Sequence, residues 1–190
     1  MKKLVIALGV SVLLGACAGS GMSNASSNSA ATPMVGGAPM YPTKDIVDNA
    51  VNSKDHTTLV AAVKAADLVA TLKSPGPFTV FAPTNASFAA LPAGTVDTLL
   101  KPENKATLTK VLTYHVVPGR MDSAALTSAI NAGGGKAMLK TASGGTLTAT
   151  MSGGTVWVTD AKGGTAAVTI ANVYQSNGVI HVVNKVLLPG

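Results

Sequence analysis

A single domain of mixed α+β character is the fold class this sequence predicts, on three observations. From Lys44 to Ile130 the apolar residues recur mainly at helical spacing. From Lys136 onward the signal is purely β: short alternating runs separated by Ser-Gly-Gly, Ser-Gly-Gly and Lys-Gly-Gly clusters, where glycine supplies positive φ at low steric cost. Between the two lies Gly76 to Phe88, read Gly-Pro-Phe-Thr-Val-Phe-Ala-Pro-Thr-Asn-Ala-Ser-Phe, which holds all three phenylalanines.

The N-terminus comes first. Lys2 and Lys3 form a positive n-region, Leu4 to Leu14 an apolar h-region, and small residues follow, the layout of an export signal. Leu14-Gly15-Ala16-Cys17 resembles a bacterial lipobox, with cleavage before Cys17 and a diacylglyceryl group on its sulfur. A plain secretory signal with a free thiol, or a transmembrane helix, are the other readings; the apolar run is shorter than the roughly 18 residues a span requires. Residues 1–16 are thus expected to be a lipoprotein signal peptide and Cys17 a membrane anchor that does not cross the bilayer. Ala18 in place of an acidic residue points to the outer membrane if the source is Gram-negative. Residues 17–40 are expected to be the lipidated cysteine and a flexible tether mainly of Ala, Gly, Ser, Asn, Met, Thr and Pro. As a coil, its last 23 residues span about 25 Å, and about 80 Å when stretched. A chain starting near Pro42 is accordingly expected to fold as well as a longer one.

Residues 41–190 are expected to form the domain. Ile46, Val47, Ala50 and Val51 give a short opening helix, with Asp45 suited to its N-terminus. Leu59, Ala62, Val63 and Ala66 make one stripe of a second helix from Thr57 to Ala66, with Asp55 or Thr57 as cap. Leu68 to Leu72 adds a turn or short helix. Phe78 to Phe81 alternates as a core strand, ended by Ala82-Pro83, and Thr84 or Asn85 caps a short helix to Leu91. Thr95 to Leu100 is another short helix, and Pro102 opens the next, on which Leu108, Val111, Leu112 and His115 share one face. His115 is expected to turn inward. Val116 and Val117 start a strand that Pro118-Gly119 ends, and Asp122 or Ser123 caps a helix to Ile130. Met138–Thr141, Thr146–Met151, Thr155–Thr159 and Thr165–Ile170 are expected to form a meander. Trp157 alternates with Val156 and Val158; core packing is its default role, and a solvent-facing sugar platform the alternative. A long apolar strand closes the sequence from Asn177-Gly178 to Pro189.

Gly76–Phe88, Tyr114-His-Val-Val-Pro-Gly119 and Asn177–Pro189 together resemble the hallmark segments of the fasciclin (FAS1) domain family, in its order and spacing over about residues 41–189. The resemblance implies a wedge or sandwich of about seven strands flanked by short helices, used outside the cell for adhesion and without catalytic chemistry. Here the chain departs from the family at His56, where an aromatic is common, at Asp67, where glycine often ends the helix, and at Asn184, where Asp is common. The Tyr-His segment of some animal members is implicated in integrin contact, which maps an interaction role onto Tyr114 and His115.

The chemistry of the residues points the same way. His56, His115 and His181 have no partner at metal-ligand spacing, and no Gly-x-Ser-x-Gly elbow or phosphate loop occurs. Eight carboxylates spread singly give no acid/base pair. Charged residues are 12% of the chain, against about 25% in ordinary domains. The net charge of +6 becomes +4 once Lys2 and Lys3 leave, that is, 12 basic minus 8 acidic residues. Scattered single lysines do not form a nucleic-acid stripe. Asn24-Ala-Ser26 and Asn85-Ala-Ser87 match a glycosylation acceptor pattern, taken as accidental in a bacterial lipoprotein. No catalytic, cofactor or metal site is expected. The expected function is a cell-envelope adhesion or interaction module, its partners membrane lipid at Cys17 and a protein or polysaccharide of the envelope or extracellular matrix. The alternative is a periplasmic or surface binding protein for a polysaccharide or small ligand.

Overall fold

The computed structural model describes residues 32–190. The expected signal peptide, Cys17 and most of the expected tether lie outside the described residues. A small hairpin, β1 (Met34–Val35) and β2 (Ala38–Pro39), comes first. It corrects the expected tether boundary: Val35, Ala38 and Met40 are buried in the core, so the fold begins before residue 41.

Helices α1 (Ile46–Ala50), α2 (Thr57–Ala65) and α3 (Val69–Lys73) follow, with a 3-10 turn at Lys54–His56 leading into α2. Asp45 caps α1 by accepting from Asp48 N at 2.8 Å. Neither Asp55 nor Thr57 caps α2; Asn85, from a later helix, accepts from Thr58 N at 3.0 Å and donates to Lys54 O and Thr57 Oγ1. Asp67 adopts φ 60° just past α2, the left-handed position where glycine is otherwise favoured.

Strand β3 (Phe78–Pro83) continues through Ala82 and Pro83 instead of ending before them. Proline is tolerated there because it ends the ladder, opposite Val183. Thr84 and Ser87 then form a reciprocal capping box on α4 (Asn85–Ala89). Next come α5 (Thr95–Leu99), α6 (Lys105–Tyr114), β4 (Val116–Pro118) and α7 (Ser123–Ala132), the last capped by Asp122. The β region comprises β5 (Lys136–Lys140), β6 (Thr146–Ser152), β7 (Thr155–Thr159), β8 (Thr165–Gln175) and β9 (Gly178–Val183). Strand β9 stops at Val183, short of the expected Pro189.

Seven strands share one sheet in the order β4-β3-β9-β8-β7-β6-β5. All pairings are antiparallel except β3 with β9, which run parallel. The long β8 serves both halves: Thr165–Ala167 pairs with β7, and Val168–Gln175 with β9. Register shifts between Val168 and Val173, with Asn172 at φ 60°, bend it from one half into the other. The sheet thereby curls until its ends meet at a seam, where Ala142 N donates to Val116 O at 2.7 Å.

Two apolar clusters lie on either side of β3 and β9. Val80, Ala82, Ile180 and Val182 face α1, α2 and α6, whereas Phe81 and Val183 face the sheet interior together with Leu126 and Ile130 of α7. All six residues of β9 are buried, so the alternation of a half-exposed strand is absent.

Candidate interaction site

Tyr114 and His115 stand where α6 gives way to β4; the stripe of Leu108, Val111 and Leu112 turns His115 inward, and Tyr114 packs in the cluster inside the curled sheet. Tyr114 is 1% exposed; its hydroxyl donates to Thr146 O at 2.7 Å and accepts from Ala161 N at 3.0 Å. Gly145 lies against this ring, where a Cβ would come within 2.5 Å of it. His115 uses both nitrogens: Nε2 accepts from Leu187 N at 2.9 Å, which leaves Nδ1 to donate to Val111 O at 2.8 Å. Burial pushes the imidazole pKa down from 6.5 to about 4, so the ring is neutral at neutral pH. Both side chains are thus buried in the folded domain, and their polar atoms are bonded to main-chain groups.

His181 is fully buried at the centre of β9, stacked on Phe81 with centroids 5.7 Å apart, and its Nε2 donates to Met121 O at 2.8 Å. His56 is 3% exposed and bonds Ser53 Oγ through Nδ1. Burial lowers the pKa of both rings. The three histidines occupy separate places and share no ligand. Among the described residues no group of three His, Cys, Asp or Glu side chains converges, and no helix is long and apolar enough to cross a membrane.

The buried polar residues that hold the two layers together are amides and one carboxylate that the sequence reading did not single out for this role. Asn177 Oδ1 accepts from Ile46 N at 3.1 Å, and its Nδ2 donates to Leu72 O and Ser74 O at 2.7 and 3.0 Å. Asn49, with no exposed surface, bonds the backbone of Tyr41 and the side chain of Gln175. Asp160 accepts from Lys162 N, Gly164 N and Leu188 N at 2.9, 2.7 and 3.0 Å, and with His115 fastens the C-terminal tail. Asn184 accepts from Ala167 N at 2.8 Å, so the amide that replaces the family's Asp is used in a backbone bond.

Three surfaces remain. Trp157 belongs to neither core cluster: Val156 and Val158 point inward and the indole is half-buried on the outer face, which corrects the core-packing expectation. Its neighbours across the strands are Thr150 and Ala167. A cavity of about 80 Å³ lies between the helices and β3, lined by Ile46, Val63, Leu72, Phe78, Leu112 and Val116 among others. At the seam an open groove of about 830 Å³ runs between β4, the C-terminal end of α7 and β5, and no carboxylate lines it.

A curled seven-stranded sheet with its helical layer, built on these buried segments, defines a fasciclin-domain protein. The fasciclin domain model matches residues 54–189, and the chain belongs to that family. Protein sll1483 of Synechocystis sp. is 53% identical over 145 residues, covering 76% of this chain and 73% of its own length. The cell surface glycolipoprotein MPB83 of Mycobacterium bovis is 32% identical over 123 residues, covering 65% of this chain and 48% of its own. Among solved structures, the FAS1 domain pair of the insect cell adhesion molecule fasciclin I matches with a TM-score of 0.67 at 16% identity, a likeness of fold. The match covers 76% of this chain and 51% of that one, so this chain spans about half of the pair.

Proposed function

We propose that this protein is a non-catalytic adhesion or interaction module of a bacterial cell envelope, tethered through a lipidated Cys17, in the outer membrane if the source is Gram-negative. The observation that carries the reading is the use of its distinctive residues. Tyr114 and His115 are consumed by hydrogen bonds to backbone groups inside a fasciclin domain, and His181 is fully buried with its Nε2 bonded to Met121 O. The names of similar proteins, a cell surface glycolipoprotein and a cell adhesion molecule, support the same class. The Leu-Gly-Ala-Cys spacing supports the tether.

A module of this kind gains strength when many copies share one membrane, because linked sites raise effective concentration without new contacts. Cells displaying the lipidated chain are expected to adhere to envelope or matrix fractions, while the soluble monomer binds weakly. Turnover of an envelope substrate that His115→Ala or His181→Ala abolishes in a folded protein would overturn the reading. Binding of a polysaccharide is the second reading, favoured by the outward position of Trp157. Loss of glycan retention in Trp157→Ala, with protein binding unchanged, would select it.

A further inference from the structure

Strand β5 presents an unpaired edge to the seam. In an antiparallel ladder, residues that exchange both main-chain bonds with the partner strand alternate with residues whose groups point away. Thr141 N donates to Gly145 O at 2.9 Å, and the same register continues through Leu139 opposite Leu147 and Ala137 opposite Ala149. Lys136, Met138 and Lys140 therefore direct their N–H and C=O groups away from β6. The helix end covers Lys136 O, since a Cβ on Gly133 would lie 1.9 Å from it. The groups of Met138 and Lys140 face the groove.

The opposite wall is a poorer template. Phe81 N donates to His115 O and Gly119 N to Pro77 O, both at 2.9 Å, so Val117 turns towards β3 while Val116 and Pro118 turn outward. Val116 O is taken by Ala142 N, and Pro118 has no N–H to give. Strand β5 is the better template, because Met138 and Lys140 each keep both an N–H and a C=O for a partner strand.

Its side chains specify the occupant. Lys136, Met138 and Lys140 share the outer face; both lysines are exposed, and Met138 is 78% exposed. Among the described residues neither lysine forms an ion pair. A second copy pairing edge to edge would set lysine against lysine, which is repulsive. We propose that β5 receives, by strand addition, an extended segment of a partner protein that carries two carboxylates four residues apart with an apolar residue midway. Because the Lys-Met-Lys row is symmetric, either strand direction satisfies it. Main-chain bonds supply affinity and the alternate side chains selectivity. The inference rests on the interaction-module reading and names its surface and partner class.

The test uses the full chain in detergent with a capped peptide, Ser-Thr-Glu-Thr-Val-Thr-Glu-Thr-Ser, and a control with Lys for each Glu. The Glu peptide is expected to slow amide exchange at Met138 and Lys140 by about tenfold or more and to bind at least about tenfold more tightly than the control. K136E/K140E is expected to reverse that preference, and Met138→Pro, which removes an outward donor, to abolish binding. No protection at millimolar peptide, or equal binding of the two peptides, would leave the lysines as a guard against edge aggregation and overturn the proposal. Protection without peptide in a sedimenting dimer would overturn it in favour of a second copy. Adhesion by displayed wild type without peptide protection sinks the seam alone; peptide protection without adhesion sinks the adhesion reading alone.

Discussion

His115, just past the end of α6, links that helix to the tail at Leu187, and its neutrality has a sign that can be measured. Its folded pKa is depressed to about 4 from 6.5, so the unfolded chain binds the proton more readily between those values. Stability is therefore full above about pH 6.5 and falls as the pH drops towards 4. At pH 5 the loss from this ring alone is about 2 kcal/mol, a sizeable part of a usual total of about 5–15 kcal/mol. His181 and His56 act in the same direction. Urea midpoints of wild type are expected to fall between pH 7.5 and 5, and those of His115→Gln to fall less; equal slopes would refute the linkage. Asp67, at φ 60°, gives a second test. Asp67→Gly relieves a left-handed backbone and should raise stability by about 0.5–1 kcal/mol in thermal melts, since its exposed contact with Lys105 at 3.8 Å contributes little. The inward turn of His115 was legible because it ends an i, i+3, i+4, i+7 stripe. Asn49 was not, because its buried partner Gln175 is 126 residues away and an amide on a short helix looks like a solvated face.

Elements were legible in proportion to the length of their periodic runs. Strand β7 matches its expected bounds because alternation is regular between two Gly-Gly turns. The face of Trp157 was misread because Val-Trp-Val alternates equally well in either sense, and which set lies inside depends on β6 and β8. The hairpin β1–β2 was missed for a different reason: two-residue strands within Met-Val-Gly-Gly-Ala-Pro carry no period at all. Its burial changes what truncation should do. A chain starting at Pro42 loses Val35, Ala38 and Met40 from the core, and burial of Val35 and Met40 contributes about 1.5–3 kcal/mol each. It also loses the bond from Lys54 N to Gly36 O. Its denaturant midpoint is expected to lie well below that of a chain starting at Thr32; coincident transitions would mean the hairpin adds nothing.

Across the whole molecule, class and strand number were readable from the three hallmark segments, whereas sheet order was not. Neighbours such as β3 and β9 are set by tertiary packing, and the seam exists only once β4 and β5 have been brought together by everything between them. The proposed membrane tether rests on the N-terminal sequence pattern alone. Cys17→Ser is expected to leave an unlipidated precursor or soluble form. Metabolic labelling with a fatty acid measures this directly, and label incorporated by the variant at the wild-type level would refute the lipoprotein assignment.

The parallel pairing of β3 with β9 carries a consequence for the order of events during synthesis. Phe78 lies beside Gly178 and Pro83 beside Val183, so the central ladder joins segments a hundred residues apart. Strand β9 also supplies β8 with its partner, and both apolar clusters draw side chains from it. A chain emerging N-terminus first has its helical layer in hand while the middle of its sheet is still missing. Closing so long a loop is slow, and neither cluster is complete until the late strand arrives. Such a polypeptide is expected to stay open for as long as it is being made, as the envelope location proposed above requires.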